Sequence, residues 1–277
     1  MSVSHSRGVS TGAYAVLALA AFISLFPLAL MLVNGLKTAT EVNASPLSLP
    51  AAPQFVNFSN AWRDAGFGRA LLNSTLVAGL TIVLVCVTSS MTAYVLARRK
   101  IRAWRGVSTY LLACTTLPAQ LFLFPLYFGF SKLGLINNPL ALALVYTALY
   151  SPFAVFLLRT YFIAVPLEIE ESAQMDGATP WQTFSKVVLP IVRPGILTLA
   201  ILTGLFAWNE FLFAATFMQE KTAQTGIVAF FTLSGQYTSD WGEIMAGALI
   251  LVAPIIALFL FLQRYFVEGM SSGSVKG

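Results

Sequence analysis

Very few chemically reactive side chains fall inside the apolar segments of this chain, and Glu210 is the clearest of them. It is the one acid well inside a predicted membrane-spanning segment, where an ionisable group is costly enough to count as a functional candidate. Asn209 beside it can donate a hydrogen bond to the carboxylate or to a bound molecule. Two roles are open for this pair: a polar contact on a pathway through the bundle, and an interhelical contact that fixes packing.

Five further polar or aromatic residues repeat at helical spacings in two predicted spans. Thr116, Gln120 and Tyr127 stand at i, i+4 and i+11 in the third span, and Tyr146 and Tyr150 stand at i and i+4 in the fourth. Aromatic rings, hydroxyls and amides suit a sugar, whose CH faces stack and whose hydroxyls need hydrogen-bond partners. Most such residues in a helical bundle only pack or bridge helices, so that alternative stays open.

The chain lacks the motifs of ATP-binding proteins and zinc hydrolases. It has no G-x-x-x-x-G-K-[ST] phosphate loop and no H-E-x-x-H motif, and its one histidine is His5. Cys86 and Cys114 fall inside apolar spans, where a lone thiol behaves as a small hydrophobe. We therefore expect no catalytic residue, no metal site and no cofactor in this chain.

These residues are carried by a sequence suited to a bilayer. Of its 277 residues 57% are hydrophobic and only 10% are charged, with a mean hydropathy of +0.79. A transmembrane helix needs roughly 20 apolar residues, and six stretches meet this requirement. We predict an all-α membrane protein in which residues 1–277 form a single domain, with prolines 118, 125, 152 and 254 kinking its spans. The predicted spans are 13–34, 71–97, 107–130, 139–163, 195–218 and 243–266.

The distribution of basic residues predicts the orientation. Eleven of the 16 Lys and Arg residues fall in the N-terminus, the second and fourth connections and the tail. Cytoplasmic loops hold the excess of Lys and Arg, so both termini are expected inside a multi-pass protein. The densest run, at 98–105, is either a topology anchor or a patch that binds anionic lipid or a partner.

The fourth connection, residues 166–193, contains several residues that are typical of helix starts and ends. Pro166 suits the first turn of a helix and is followed by three acids, while Gly177 can adopt the left-handed conformation that ends a helix. Thr179, with Gln182 three residues later, predicts a capping box that starts a second helix. That helix should bury Trp181, Phe184, Val187 and Val188, turn Gln182, Ser185 and Lys186 outward, and end at Leu189-Pro190.

Two interpretations of this loop compete. It is either an interfacial connection between two spans or a docking surface for another protein. The acids of the first helix suit an anionic bilayer surface poorly, and the small Ser172 and Ala173 allow close approach of a partner. These features favour docking.

The spacing of the loop resembles a known motif. Glu171-Ser172-Ala173, then Gly177, then Val187-x-Leu189-Pro190, is similar to the "EAA" loop of membrane-spanning permease subunits of ATP-binding-cassette importers, with Ser172 and Val187 as mild departures. "AWNEFLFA" (207–214) and the end "QRYFVEGMSSGSVKG" (263–277) also look like the smaller permease of the maltose-type carbohydrate uptake class. The resemblance covers essentially the whole chain.

The resemblance implies a type I importer permease fold with a cytoplasmic coupling helix in a bacterial cytoplasmic membrane. By this likeness, ATP and Mg are bound by two partner ATPase subunits, and a second permease subunit and an extracytoplasmic solute-binding protein complete the complex. The expected substrate is a carbohydrate, with membrane lipid but no nucleic acid as a further contact. The residues expected to seat on the ATPase are Glu171, Ser172, Ala173, Asp176, Gly177 and Ala178.

Two other classes fit the sequence less well. A self-sufficient secondary transporter should show several intramembrane charges and repeated halves, whereas only Glu210 stands out. An intramembrane zinc hydrolase would need the missing metal motif.

Overall fold

The computed structural model describes residues 11–236 and 240–273, and within these ranges all regular structure is helical. Two short segments depart from the α-helix: a 3₁₀-helix at Ala119–Phe122 and a π-helix at Thr183–Val188. The α-helices are α1 Thr11–Gly35, α2 Ala39–Ala44, α3 Val56–Asp64, α4 Phe67–Ala97, α5 Trp104–Thr116, α6 Leu123–Lys132, α7 Pro139–Ala164, α8 Leu167–Met175, α9 Pro180–Gln182, α10 Leu189–Ile191, α11 Arg193–Asn209, α12 Leu212–Phe217, α13 Gly226–Gln236 and α14 Trp241–Gly273.

Four helices are long and apolar enough to cross a membrane unaided, and six spans result if each of two bent pairs is counted as one. The four match the predicted first, second, fourth and sixth spans. They are Gly12–Gly35, Phe67–Ala97, Pro139–Ala164 and Trp241–Phe261. The all-α membrane class predicted from composition is therefore confirmed.

The third predicted span is not one helix. The pieces Trp104–Thr116 and Ala119–Lys132 meet at an angle of 96°. Leu117 is extended and Pro118 follows it, as expected because proline lacks an N–H and disfavours helix in the residue before it. The prediction of a continuous helix over 107–130 was wrong, although Pro118 was one of the four prolines expected to kink the spans.

The fifth predicted span is also interrupted. Pro194 opens α11 as expected, but the helix ends at Asn209, and Glu210 is extended before α12 begins at Leu212. Pro152 and Pro254, in contrast, are accommodated inside the long helices α7 and α14. The predicted polar tail after Gln263 is helical up to Gly273, and residues 274–277 lie outside the described part.

The described residues up to Phe67, together with Phe230–Ile256, form one compact unit. Its most unusual feature is Lys37, whose side chain is completely buried. The Lys37 ammonium donates to Asn34 Oδ1 at 3.0 Å, the Ser45 carbonyl at 3.0 Å and the Pro46 carbonyl at 3.1 Å. A buried charge is tolerated when it is fully hydrogen-bonded, so Lys37 fixes the loop after α2.

The other compact unit runs from Gly68 to Ala229 and resumes at Ala257. It contains two apolar cores, and both include buried side chains of α4, α7 and α11. One core is centred on Tyr94, Leu158, Phe162, Phe184 and Val188. The other is centred on Val77, Leu142, Tyr146, Phe213 and Phe217. The first core lies beneath the 166–193 loop, and the second surrounds the break between α11 and α12.

Candidate functional site

The first helix of the 166–193 loop begins as its sequence predicts, shifted by one residue. Pro166 is the N-cap rather than the first helical residue, and Glu168 and Glu170 lie in the first turn of α8. Negative charge is favourable there because the helix dipole is positive at its N-terminus. The short helix then ends at Met175.

Gly177 forms the corner that follows. Its φ of +84° lies in the left-handed region, as predicted. The Ala178 N–H donates to the Ala173 carbonyl and the Gly177 N–H to the Gln174 carbonyl, both at 3.0 Å. This pair of bonds is a Schellman motif, which satisfies the last carbonyls of α8 and reverses the chain sharply.

Thr179 and Gln182 form the predicted capping box. The Thr179 N–H donates to Gln182 Oε1 at 2.8 Å, and the Gln182 N–H donates to Thr179 Oγ1 at 3.3 Å. The helix then widens into the π-helical turn Thr183–Val188 and continues to Ile191. It therefore passes through Leu189-Pro190 rather than ending there, because the π-turn accommodates a residue that cannot donate an α-helical hydrogen bond.

The second loop helix packs only partly on its predicted face, since Val187, expected to be buried, and Gln182 and Ser185, expected to face outward, are all half-buried. Phe184 and Val188 are buried, and Thr183, not anticipated from the sequence, is completely buried as well. Trp181 instead is 61% exposed, with its ring centroid 5.5 Å from that of Phe184. Lys186 is exposed as expected.

An unpredicted ionic cluster fastens this loop to the end of α4. Arg98 Nε donates to Glu170 Oε1 at 2.6 Å, and the side chains are only 7% and 5% exposed. Tyr94 Oη donates to Glu170 Oε2 at 2.7 Å, Lys100 Nζ donates to Tyr94 Oη at 2.9 Å, and Arg98 Nη2 donates to the Val165 carbonyl at 2.9 Å. Both carboxylate oxygens of Glu170 and two of the three guanidinium nitrogens of Arg98 thus have hydrogen-bond partners, which a buried ion pair requires.

The corner itself is left open beside this cluster. Glu171, Ser172, Asp176 and Gly177 are exposed, while Ala173 and Ala178 are half-buried. Met175, between them, is 88% exposed. The six residues expected to contact a partner therefore lie on one short segment. Its backbone is fixed by the Schellman motif, by the capping box and by the ion pair of Glu170.

The second candidate site lies at the break between α11 and α12. Tyr146 Oη donates to Glu210 Oε2 at 2.8 Å, and the same carboxylate accepts the N–H groups of Phe213 at 3.1 Å and Ala214 at 3.0 Å. The Tyr150 ring centroid is 5.7 Å from those of Tyr146 and Phe206. Glu210 therefore bridges two helices and caps the start of α12, the packing role considered above.

The remaining pathway candidates do not join this cluster as predicted. Asn209 Nδ2 donates to the Leu205 carbonyl at 2.8 Å rather than to Glu210, and Thr116 Oγ1 donates to the Ala113 carbonyl at 2.8 Å. Tyr127 stands in a different group, where its hydroxyl accepts from Gln219 Nε2 at 3.4 Å. Because the third span breaks at Leu117-Pro118, Thr116, exposed Gln120 and Tyr127 do not share a helical face.

Trp208 is a polar residue beside this site that sequence reasoning did not select as a contact. Its indole Nε1 is buried and has no hydrogen-bond partner among residues 11–236 and 240–273. No three His, Cys, Asp or Glu side chains in those ranges lie close enough together to hold a metal ion.

Long apolar helices, two of the predicted spans broken, and a capped polar loop define a multi-pass membrane protein. Residues 87–272 match the family described as "Binding-protein-dependent transport system inner membrane component", and the chain belongs to that family.

Curated relatives extend over almost the whole chain. It is 34% identical over 277 residues to the diacetylchitobiose uptake system permease protein of Streptomyces coelicolor, which covers 99% of this chain and 92% of the relative. It is 36% identical over 256 residues to the trehalose transport system permease protein of Mycobacterium tuberculosis, covering 92% and 93%. The fold is also that of a chain in the crystal structure of a bacterial ABC transporter involved in the import of the acidic polysaccharide alginate, with a TM-score of 0.76, 20% identity, and coverage of 94% of this chain and 100% of that one.

Proposed function

We propose that this chain is the permease subunit of an ATP-binding-cassette importer that carries a carbohydrate inward across the bacterial cytoplasmic membrane. The observation that carries this proposal is the family match over residues 87–272, combined with relatives named for uptake of diacetylchitobiose and trehalose. The melibiose/raffinose/stachyose import permease protein of Bacillus subtilis, 33% identical over 264 residues, supports the same substrate class. Transport is then powered by ATP and Mg bound on two partner ATPase subunits.

The exposed corner is the part of the chain best suited to contact the ATPase. Glu171, Ser172, Ala173, Asp176, Gly177 and Ala178 present small and acidic groups on a backbone held by a Schellman motif and a capping box. Small residues permit close approach, and fixed capping means that the segment moves as a unit rather than deforming. A second permease subunit and an extracytoplasmic solute-binding protein complete the proposed complex.

The buried ion pair explains how movement of the corner would reach the spans. Arg98 Nε and Glu170 Oε1 are 2.6 Å apart, so α8 cannot be displaced from the end of α4 without exposing or separating two buried charges. Separation would be strongly unfavourable. A displacement of the corner is therefore passed to α4, which crosses the membrane.

Tyr146, Tyr150 and Glu210 form the proposed pathway contact, with Asn209 nearby. The half-buried Tyr150 ring can stack on a sugar face, and the half-buried Glu210 carboxylate can accept hydrogen bonds from its hydroxyls. Tyr146, which is buried, holds that carboxylate in place. Trp208 contributes an unpaired buried donor next to this group. Thr116, Gln120 and Tyr127 remain candidates from other parts of the pathway.

Orientation is tested separately from transport. We propose that both termini are cytoplasmic, because Lys and Arg are concentrated in the connections on that side. A reporter fused at Arg102 should signal the cytoplasm, and one fused at Asn60 the outside. The reverse pattern would contradict the proposed topology.

The function is tested with the purified complex in proteoliposomes. Uptake of a labelled oligosaccharide should require ATP, the ATPase subunits and the solute-binding protein. Uptake driven by an ion gradient, without those subunits, would instead favour the secondary-transporter class.

A further inference from the structure

An open apolar groove lies beside the ionic cluster and has no role in the proposed coupling. It has a volume of about 250 Å³, and the surface exposed inside it is apolar. Tyr94 and Phe184 form its floor, with ring centroids 4.9 Å apart. The other lining residues are Met91, Val95, Lys100, Pro180 and Trp181.

The groove lies at one end of α4, a helix long and apolar enough to cross a membrane. It begins beside Lys100, just beyond the last residue of α4, and reaches Met91, about 9 Å back along the helix at about 1.5 Å per residue. Amphipathic segments at a membrane surface bury their apolar faces to about 5–10 Å. The exposed ring of Trp181 is also typical of this interfacial region.

Residues 99–105, which include the groove-lining Lys100 and are called the basic rim, carry an excess of positive charge. Arg98 is neutralised by Glu170, but Arg99, Arg102 and Arg105 form no ion pair with an acid in the parts of the chain that the structure describes. All three are exposed, and so is Lys100. The guanidinium groups of Arg99 and Arg105 lie 4.8 and 5.3 Å from the Trp104 ring centroid.

Lys100 is the residue that joins the apolar and the basic parts. Its Nζ uses one hydrogen bond on Tyr94 Oη, at 2.9 Å, and lies 4.0 Å from Glu170 Oε2. Its side chain is 39% exposed, so further donors of the ammonium face water. A phosphate at the mouth of the groove can accept these donors.

We infer that this groove is a binding site for an anionic phospholipid, with one acyl chain along Met91, Val95 and Trp181 and the phosphate on Lys100. Its volume is about eight times the roughly 30 Å³ of a water in the liquid, enough for part of an acyl chain but not for a headgroup. Basic pockets between membrane helices on the cytoplasmic side suit anionic headgroups. Assignment to the cytoplasmic leaflet rests on the proposed orientation.

The occupied site would reinforce the loop. An acyl chain in the groove covers the exposed faces of Trp181 and Met91, which belong to the second loop helix and to α4. It therefore fills the space between α4 and the second loop helix, whereas the Arg98–Glu170 pair connects the end of α4 to α8. Anionic lipid becomes a structural part of the loop assembly.

The test is lipid retention by the complete purified importer, measured by native mass spectrometry. The complex is stripped of lipid and titrated with phosphatidylglycerol or with phosphatidylcholine bearing the same acyl chains. The wild type should retain phosphatidylglycerol preferentially. Lys100→Gln, which can keep a hydrogen bond to Tyr94, should weaken phosphatidylglycerol binding about fivefold, as expected for one basic residue near the surface.

Two further variants separate the groove from general surface charge. Met91→Trp should fill the groove from its exposed side and reduce phosphatidylglycerol retention with the basic rim intact. Lys186→Gln removes an exposed lysine of the same loop outside the groove lining and should bind like the wild type. Equal retention by all four proteins, or equal binding of the two lipids by the wild type, would overturn the inference.

The occupant is tested directly by placing a photoreactive benzoylphenylalanine at Trp181 in the complete importer. A cross-link to phospholipid supports the site. A cross-link mainly to another subunit would mean that a protein covers the groove, and the lipid assignment would be wrong. Neither readout depends on transport, so failure here leaves the proposed function untouched.

Discussion

Arg98 and Glu170 are 72 residues apart in the sequence, yet their side chains form a buried ion pair with Nε and Oε1 separated by 2.6 Å. One belongs to the turn after a membrane-spanning helix and the other to the loop helix that presents the exposed corner. This pair directly connects the end of α4 with α8.

Arg98→Ala should lower the free energy of unfolding by about 3–5 kcal/mol, because it leaves the Glu170 carboxylate buried without its counter-ion. The matched control is Arg63→Ala, which breaks an exposed pair with Asp64 and should cost no more than about 1 kcal/mol. Denaturant unfolding of the purified subunit in detergent measures both. The double variant Arg98→Met with Glu170→Leu should be more stable than Arg98→Ala, since no buried charge remains unpaired. Equal losses for Arg98→Ala and Arg63→Ala would contradict the clamp.

Gly177→Leu should uncouple ATP hydrolysis from transport while leaving membrane insertion intact. A side chain there opposes the left-handed φ of +84° by about 1–2 kcal/mol, although its Cβ would meet no atom within 4 Å among the described residues beyond its two chain neighbours. The damage to coupling must then come from a contact outside this chain. Uptake and substrate-stimulated ATP hydrolysis in proteoliposomes are the measurements.

Gly134→Leu supplies the strain-matched control for that experiment. Gly134 has a φ of +67° and equally open space around its Cβ position, but lies in the turn after α6. It should lose similar stability and keep its coupling. If both variants couple normally, residues 171–178 serve only as a connector between spans. Glu171→Lys should act like Gly177→Leu, and Lys186→Glu should be milder.

Gly195→Ala should destabilise the start of α11. A Cβ at Gly195 would come within 2.6 Å of the Tyr161 ring, which is closer than real carbon contacts allow. Gly79→Ala is the control, because the space around Gly79 in α4 is open and alanine favours helix there by about 1 kcal/mol. Thermal unfolding should therefore shift downward for the first and upward for the second. A neutral Gly195→Ala would show that Tyr161 moves away at little cost.

Lys37→Met should lower the free energy of unfolding by about 3 kcal/mol or more. The variant leaves the buried Asn34 Oδ1 and the partly buried carbonyls of Ser45 and Pro46 without their donor. Lys221→Met, at an exposed position, should stay within about 0.5 kcal/mol of the wild type. Limited proteolysis should find the 45–50 loop more susceptible in Lys37→Met only.

Tyr146→Phe distinguishes the two roles of Glu210. It removes one hydrogen bond and leaves the carboxylate with the N–H groups of Phe213 and Ala214. If Glu210 only packs helices, stability should fall by about 1–3 kcal/mol with an unchanged KM for uptake. A pathway contact predicts a raised KM as well, and Tyr127→Phe, in the other cluster, serves as the comparison.

Local rules predicted the parts of this structure that depend on neighbouring residues. The capping box of Thr179 and Gln182 and the left-handed Gly177 follow from side-chain reach and backbone sterics within a few positions. The long helices follow from the length of the uninterrupted apolar stretches. The motif residues 171–178 were located by spacing, and the exposed corner they occupy was expected from the loop punctuation.

The Arg98–Glu170 pair could not be predicted, because each residue already had a sufficient local explanation. Arg98 belongs to a basic run that fits a topology anchor, and Glu170 is one of several acids at a helix N-terminus. Only the packing of α8 against α4 selects these two. The break at Glu210 was missed for a related reason: it contains neither Gly nor Pro, and a side chain that caps α12 creates it.

The π-helical turn at Thr183–Val188 has a consequence for the length of the loop. A π-turn holds one residue more than an α-turn, so deleting a single residue there can restore a regular helix without severing the chain. Each residue removed from an α-helix rotates what precedes it by about 100° around the axis. Within Thr183–Val188, in contrast, the π-turn absorbs the removed residue, so the loop can shorten by one residue there while Trp181 and the corner before it keep their orientation.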